Sequence, residues 1–229
     1  MTPCFCGETV ALPHLISGCV SLALGAPSRC LPVLLMSSPL AAGRYRAAMA
    51  RLVLVNGAPG AGKSTLAHAF AQDEWMTLAL DIDGIRHALG RWEEDPLASG
   101  LQARRLTLAL AGEHLHAGFD VIIGQYLSRT PFIEDLERLA ESYGAQFCEF
   151  ILDLDVATLA ERLAERVENP NRLEHVVNNR LVGPEDADAL VLSIEPLREQ
   201  RPRALWLDAS GTPSATLETL RTALQPPTP

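Results

Sequence analysis

Residues 52–64 read Leu-Val-Leu-Val-Asn-Gly-Ala-Pro-Gly-Ala-Gly-Lys-Ser, a short apolar run followed by a glycine-rich turn. From Gly57 to Ser64 the chain matches the pattern G-x-x-x-x-G-K-[ST], and the residues that follow have the composition of a helix. A strand, a glycine loop and a helix in this order are the context in which the pattern cradles phosphate groups. The stretch therefore predicts an α/β fold that binds a nucleotide.

Each residue type in this loop has a chemical reason. Glycines let backbone N–H groups turn towards phosphate oxygens, and the start of the next helix adds its positive dipole end. We expect Lys63 to reach the β- and γ-phosphates of ATP and Ser64 to offer its hydroxyl to Mg²⁺. The alternative is a glycine-rich turn that holds no ligand. The predicted ATP-binding residues are Gly57, Ala58, Pro59, Gly60, Ala61, Gly62, Lys63, Ser64 and Thr65.

The composition supports this interpretation and excludes others. Lys63 is the only lysine in 229 residues, and it stands where a compact ammonium fits a phosphate cage better than a planar guanidinium does. The formal net charge of −9 argues against a long nucleic-acid substrate, because such substrates are bound by basic surfaces. No apolar run approaches the roughly 20 residues of a membrane span.

Residues 1–48 are rich in Pro, Gly, Ser, Ala and Cys and follow neither the strand period nor the helix period. We interpret them as a disordered extension, or as the product of a start upstream of a functional initiator at Met49. A signal peptide is a third interpretation, but the start lacks a basic region and prolines interrupt its apolar runs. We expect one domain over residues 49–229 in a cytoplasmic protein.

Strands, turns and helices alternate after Arg51, which is typical of a parallel sheet covered on both faces. The predicted strands are 52–56, 77–82, 121–124, 146–152 and 204–207. The predicted helices are 64–72, 99–117, 131–143 and 156–167, one that starts at Pro184 and one that closes the chain.

Two aspartates follow the second predicted strand, in the sequence Asp81-Ile82-Asp83. Ligands bind at the carboxyl edge of a parallel sheet, so both side chains can face one cleft. One carboxylate suits Mg²⁺ and its water shell, and the other suits accepting a proton from a substrate hydroxyl. The structural alternative is that Asp83 caps a short helix over 84–89.

Residues 80–89, Leu-Asp-Ile-Asp-Gly-Ile-Arg-His-Ala-Leu, resemble the L-D-x-D-x-x-R-H-x-L stretch of adenylylsulfate kinases. Over about residues 51–225 the chain resembles the small P-loop kinases and AAA-like ATPases, including shikimate and gluconate kinases, chloramphenicol phosphotransferase, zeta toxins and polynucleotide 5′-kinases. The resemblance implies a P-loop NTPase three-layer sandwich with a five-stranded parallel sheet and a helical lid. It also implies Asp83 as the general base and Arg86 as a substrate or phosphate contact.

The third predicted strand ends in Gly124-Gln125-Tyr126 and lacks the acidic residue found there in many P-loop NTPases. We therefore expect Mg²⁺ to rely on Ser64 and Asp81. Further predicted substrate contacts lie in the loop after this strand, namely Gln125 and Arg129, with Tyr126 between them.

Members of this group close an arginine-bearing lid over the triphosphate, and the resemblance places it at about residues 156–183. Arg162 and Arg166 are four residues apart and share a helix face, so either can point at the transferring phosphate. Arg172 and Arg180 follow in a polar, Asn-rich segment. The alternative is a set of surface ion pairs with neighbouring glutamates, which contribute little.

These features predict a kinase that uses ATP and Mg²⁺ to phosphorylate a hydroxyl group of a small molecule, either a metabolite or an antibiotic. Two alternatives stay open. One is a kinase of nucleic-acid 5′-hydroxyl ends, and the other is a nucleotide-dependent regulatory ATPase that has no acceptor.

Overall fold

A computed structural model describes residues 49–169, 179 and 182–225. The predictions made for residues 1–48, and those for Arg172 and Arg180, lie outside the described residues.

The described residues form one sheet of five parallel strands, as predicted from the sequence. The strands lie in the order β2-β3-β1-β4-β5, so the first strand is at the centre. Their bounds are β1 Arg51–Gly57, β2 Leu78–Leu80, β3 Val121–Gly124, β4 Gln146–Asp153 and β5 Leu205–Asp208.

Helices cover both faces of this sheet. Their bounds are α1 Lys63–Asp73, α2 Ile82–His87, α3 Pro96–His116, α4 Pro131–Ser142, α5 Val156–Glu168, α6 Ala187–Ile194, α7 Leu197–Gln200 and α8 Pro213–Leu224, with a 3₁₀ turn at Pro184–Asp186 before α6. One core contains apolar side chains from α2, α3, α4, α6 and α7, and the other contains those from α1, α5, α6 and α8. The described residues therefore form a three-layer sandwich.

The central strand β1 shows why the sheet is buried on both faces. Leu52 and Leu54 point into one core, whereas Val53 and Val55 point into the other, and all four are fully buried. Burying each such side chain stabilises the fold by about 1.5–3 kcal/mol. The chain leaves this core at Gly57 and enters the glycine loop at the carboxyl edge of the sheet.

Two predicted boundaries are wrong, and side-chain caps explain both. The second strand ends at Leu80 because Asp81 accepts hydrogen bonds from the N–H groups of Asp83 and Gly84 and starts α2 there. Asp81, not Asp83, is thus the N-cap of this helix. Helix α3 begins at Pro96, three residues earlier than predicted, because Asp95 accepts from the Ala98 N–H at 2.9 Å.

Helix α5 occupies the first part of the predicted lid. Leu159 and Leu163 of this helix are fully buried in the core, so α5 is part of the sandwich. Most of the rest of the predicted lid, at residues 170–178, 180 and 181, lies outside the described residues. Within the part of the chain that the structure describes, no helix has the length and apolar character needed to cross a membrane.

Candidate active site

The glycine loop connects β1 to α1 with two residues in the left-handed region of backbone space. Gly60 has φ 90° and Gly62, the N-cap of α1, has φ 95°. A Cβ on Gly60 would lie 2.9 Å from Cδ2 of Leu163, so the loop also packs directly against α5. Both positions favour glycine because side chains rarely adopt this backbone conformation.

Lys63 is the first residue of α1 and lies inside the loop. The residue is 9% exposed, and its Nζ donates a hydrogen bond to the carbonyl oxygen of Ala58 at 2.8 Å. Burial lowers the pKa of Lys63 from 10.5 to about 8, with Arg166 acting in the same direction and Asp83 and Asp81 opposing it. An anion bound in the loop would raise this pKa again, because it stabilises the charged ammonium.

The loop forms one wall of a cavity of about 700 Å³ at the carboxyl edge of the sheet, a volume typical of a small-molecule site. The other walls come from the ends of β2, β3 and β5 and from α5. The charged and polar side chains that line it are Lys63, Ser64, Thr65, Asp81, Asp83, Gln125, Tyr126, Arg162, Glu165, Arg166, Asn169 and Thr216.

Asp81 and Asp83 line the same cavity but have different surroundings. The Asp81 carboxylate is engaged as the cap of α2 through Oδ1. Burial raises the pKa of Asp83, and the nearby negative charge of Asp81 raises it further. The positive charges of Arg86, His87 and Lys63 oppose these effects. Asp83 therefore binds a proton more tightly than an ordinary aspartate does. It lines the same cavity as the phosphate loop.

Ser64 and Asp81 both line the cavity, as a shared Mg²⁺ site requires. Among the described residues, no group of three or more His, Cys, Asp or Glu side chains is arranged to hold a metal ion. Mg²⁺ commonly binds through one or two protein carboxylates together with substrate phosphates and water. A hydroxyl and one carboxylate beside a phosphate loop fit that chemistry.

The end of β3 approaches the loop closely. A Cβ on Gly124 would lie 2.9 Å from the carbonyl oxygen of Lys63 and 3.1 Å from the backbone nitrogen of Ser64. Gln125 and Tyr126 follow and line the cavity, and the Tyr126 hydroxyl lies 2.9 Å from Oγ of Ser193. This contact ties the loop after β3 to α6.

Arg162 and Arg166 both reach the cavity, but their contacts differ. Arg162 donates to the carbonyl oxygens of Ala209 at 2.6 Å and Gly211 at 3.0 Å, which joins α5 to the loop after β5. Arg166 donates through Nε to Oδ1 of Asn179 at 2.7 Å. Burial lowers the pKa of Arg166, and this guanidinium is the one whose charge lowers the pKa of Lys63.

The other two predicted substrate residues do not line this cavity. Arg86 lies near Asp83, with its guanidinium carbon 4.6 Å from the ring centre of Trp92 and its buried Nε without a hydrogen-bond partner. Arg129 is exposed on the loop after β3.

Four polar residues of the site region were missed by the sequence analysis, and one of them is Thr216 of α8, which lines the cavity. Glu165 and Asn169 line the cavity, and their spacing from Arg162 and Arg166 places all four on one face of α5. This helical spacing could have identified Glu165 and Asn169 from the sequence. Asn56 was missed for another reason: it is fully buried at the end of β1 and bonds to both backbone groups of Leu127, far along the chain.

Three solved structures share this fold at 17–20% sequence identity. A gluconokinase from Sinorhizobium meliloti 1021 is 18% identical, with a TM-score of 0.51 over 77% of this chain and 96% of that one. A shikimate kinase from Bacteroides thetaiotaomicron is 20% identical, with a TM-score of 0.53 over 77% and 99%. A tunicamycin resistance protein from Deinococcus radiodurans is 17% identical, with a TM-score of 0.53 over 76% and 95%.

A search of curated protein sequences gives no significant match. The model of the AAA_33 family, an AAA domain, matches residues 52–182, which is more than half of the chain. The five-stranded parallel sheet agrees with the P-loop kinases named above. The chain therefore belongs to this AAA domain family and has the fold of the P-loop kinases.

Proposed function

We propose that the chain transfers the γ-phosphate of ATP to a hydroxyl group of a small molecule. One observation carries this proposal: Asp83, a carboxylate with a raised pKa, lines the same cavity as the phosphate loop and Lys63. A nucleotide switch needs only the loop and a metal site, whereas transfer to a hydroxyl also benefits from a positioned base.

In the proposed reaction the acceptor oxygen forms a bond to the γ-phosphorus while the bond from that phosphorus to the β-phosphate oxygen breaks. Asp83 accepts the proton of the acceptor hydroxyl, and ADP leaves. Lys63 and Arg166 stabilise the negative charge that develops on the transferring group. Mg²⁺, bound with Ser64 and Asp81, would neutralise part of the charge on the phosphates.

The size of the cavity and the charge of the chain favour a small acceptor. About 700 Å³ must hold the nucleotide as well as the reacting group of the acceptor. The net charge of −9 would repel a long polyanion. Tyr126 and Gln125, at the end of β3, are the side chains that we propose contact the acceptor.

A kinase of nucleic-acid 5′-hydroxyl ends is the second candidate. Arg86 favours it because its guanidinium forms no ion pair with a described residue and lies near Asp83. A short 5′-hydroxyl oligonucleotide can present one phosphate to that side chain without a long basic surface.

The test is the release of ADP by the purified chain with Mg-ATP and pooled hydroxyl-bearing metabolites, antibiotics and a 5′-hydroxyl oligonucleotide. Stimulation by a small-molecule pool well above the rate without acceptor supports the proposal, and dividing the pool identifies the acceptor. Stimulation by the oligonucleotide alone favours the second candidate. Binding of ATP without stimulation by any pool favours a regulatory ATPase.

A further inference from the structure

We propose that Asn179 is a positioning residue that holds Arg166 for contact with the terminal phosphate of the nucleotide. This role rests on the proposed function, since it needs a triphosphate in the cavity. Asn179 itself does not line the cavity, and it acts through Arg166.

The two side chains form a reciprocal pair. Arg166 donates from Nε to Oδ1 of Asn179 at 2.7 Å, and Nδ2 of Asn179 donates back to the carbonyl oxygen of Arg166 at 3.0 Å. A third bond runs from Nη2 of Arg166 to the carbonyl oxygen of Val182 at 3.3 Å. Together these bonds restrict a long side chain that would otherwise sample many rotamers.

The electrostatic surroundings of Arg166 are those of a site for an anion. Arg166 and Lys63 line the same cavity, so two cationic side chains border one space. Among the described residues no carboxylate forms an ion pair with Arg166, although Glu165 lines the same cavity. Two like charges held together in a partly buried cavity repel each other until an anion lies between them.

An amide suits this positioning task better than a carboxylate. The amide oxygen of Asn179 accepts a hydrogen bond from the guanidinium without cancelling its charge, so the full charge of Arg166 stays available to a phosphate. The terminal phosphate distinguishes ATP from ADP. Loss of Asn179 should therefore reduce the preference for a triphosphate over a diphosphate.

The experiment measures the dissociation constants of the full chain for Mg-AMPPNP and Mg-ADP by calorimetry. The proteins are the wild type, Asn179→Ala, Arg166→Ala and the double variant, with Gln72→Ala as a matched amide truncation on the exposed end of α1. The ratio of the two constants is the readout, because general damage to the fold weakens both ligands while a lost γ-phosphate contact weakens AMPPNP alone.

We expect Asn179→Ala to lower the preference for AMPPNP about three- to tenfold, because Arg166 keeps its charge but loses the hydrogen bonds that restrict its side chain. Arg166→Ala should lower it at least about tenfold, and the double variant should match Arg166→Ala. An unchanged ratio in Asn179→Ala would overturn the role of Asn179, and so would a preference for AMPPNP clearly lower in the double variant than in Arg166→Ala. Either result would leave the proposed function standing. A wild-type chain that binds neither nucleotide would overturn the proposed function and this role with it.

Discussion

The carboxylate of Asp81 accepts a hydrogen bond from the backbone N–H of Asp83 at 2.9 Å, so the two acidic residues after β2 have different surroundings. Asp81 caps α2, which fixes its orientation at the edge of the cavity. The carboxylate of Asp83 forms no ion pair with a described residue, and its pKa is raised. In the proposed reaction the first would bind the metal and the second would accept the proton.

Replacement of Asp83 by Asn should slow phosphoryl transfer strongly and retain nucleotide binding. Loss of a positioned base costs about 10²–10⁴-fold in rate, whereas an amide of the same shape preserves the cavity. Single-turnover transfer and Mg-AMPPNP affinity are the two measurements.

Asp81→Asn is the matched control for this variant. Asparagine is as good an N-cap as aspartate, so α2 should persist. The Mg²⁺ concentration needed for half-maximal turnover should rise. Transfer at the wild-type rate by the Asp83→Asn protein would show that Asp83 is not the base.

The pH dependence of turnover should show the raised pKa of Asp83. The base is active when ionised, so turnover at saturating acceptor should fall as the pH drops through a pKa above the ordinary value of 3.8. The positive charge of Arg86 lowers this pKa, so Arg86→Gln should move the acidic limb of the profile to higher pH. A limb that stays in place, or moves to lower pH, would contradict this electrostatic coupling.

Nucleotide binding should take up a proton at pH 9. In the free protein Lys63 has a pKa of about 8 and is mostly neutral at this pH, whereas bound phosphates favour its charged form. We expect an uptake of about one proton, measured as the dependence of the binding enthalpy of Mg-AMPPNP on the ionisation enthalpy of the buffer.

At pH 7 Lys63 is already charged, so its contribution to proton uptake should be close to zero. A binding enthalpy that does not depend on the buffer at pH 9 would mean that Lys63 does not contact the phosphates, or that its pKa is not lowered.

Gly124→Ala should damage the site through the backbone of the phosphate loop. The new Cβ would lie 2.9 Å from the carbonyl oxygen of Lys63, and backbone atoms cannot move aside as a flexible side chain can. We expect a loss of stability of about 1–3 kcal/mol together with weaker Mg-ADP binding.

Gly100→Ala is the matched control, because a Cβ at this position in α3 meets nothing within 4 Å. It should stabilise the protein by about 0.5–1 kcal/mol and leave binding unchanged. Wild-type stability and affinity in Gly124→Ala would argue against the close packing of β3 on the loop. Thermal unfolding and calorimetry give both quantities.

Features encoded within a few residues were predictable from the sequence. Strand β3, the glycine loop and the start of α4 at Pro131 follow from apolar runs, glycines and a proline at a first helical turn. The parallel sheet follows from the alternation of these elements. The error at the end of β2 is also local, because either Asp81 or Asp83 can cap a helix and the sequence alone does not choose between them.

Contacts between distant parts of the chain were not predictable. The order of the strands depends on how crossovers pack, and the hydrogen bonds from Arg162 to Ala209 or from Asn56 to Leu127 join residues 47 and 71 positions apart. A shared helix face places Arg162 and Arg166 side by side but does not tell which one bonds to the loop after β5 and which one bonds to Asn179.

The transfer of ³²P from [γ-³²P]ATP decides between a kinase and a hydrolase. The full chain is incubated with labelled Mg-ATP and the acceptor found by screening, and the products are separated. We predict one labelled acceptor molecule for each ADP released, with a covalent phosphate on oxygen, and at least about a hundredfold slower labelling with Asp83→Asn. Label that appears only as inorganic phosphate would contradict phosphoryl transfer to a hydroxyl and leave a regulatory ATPase in its place.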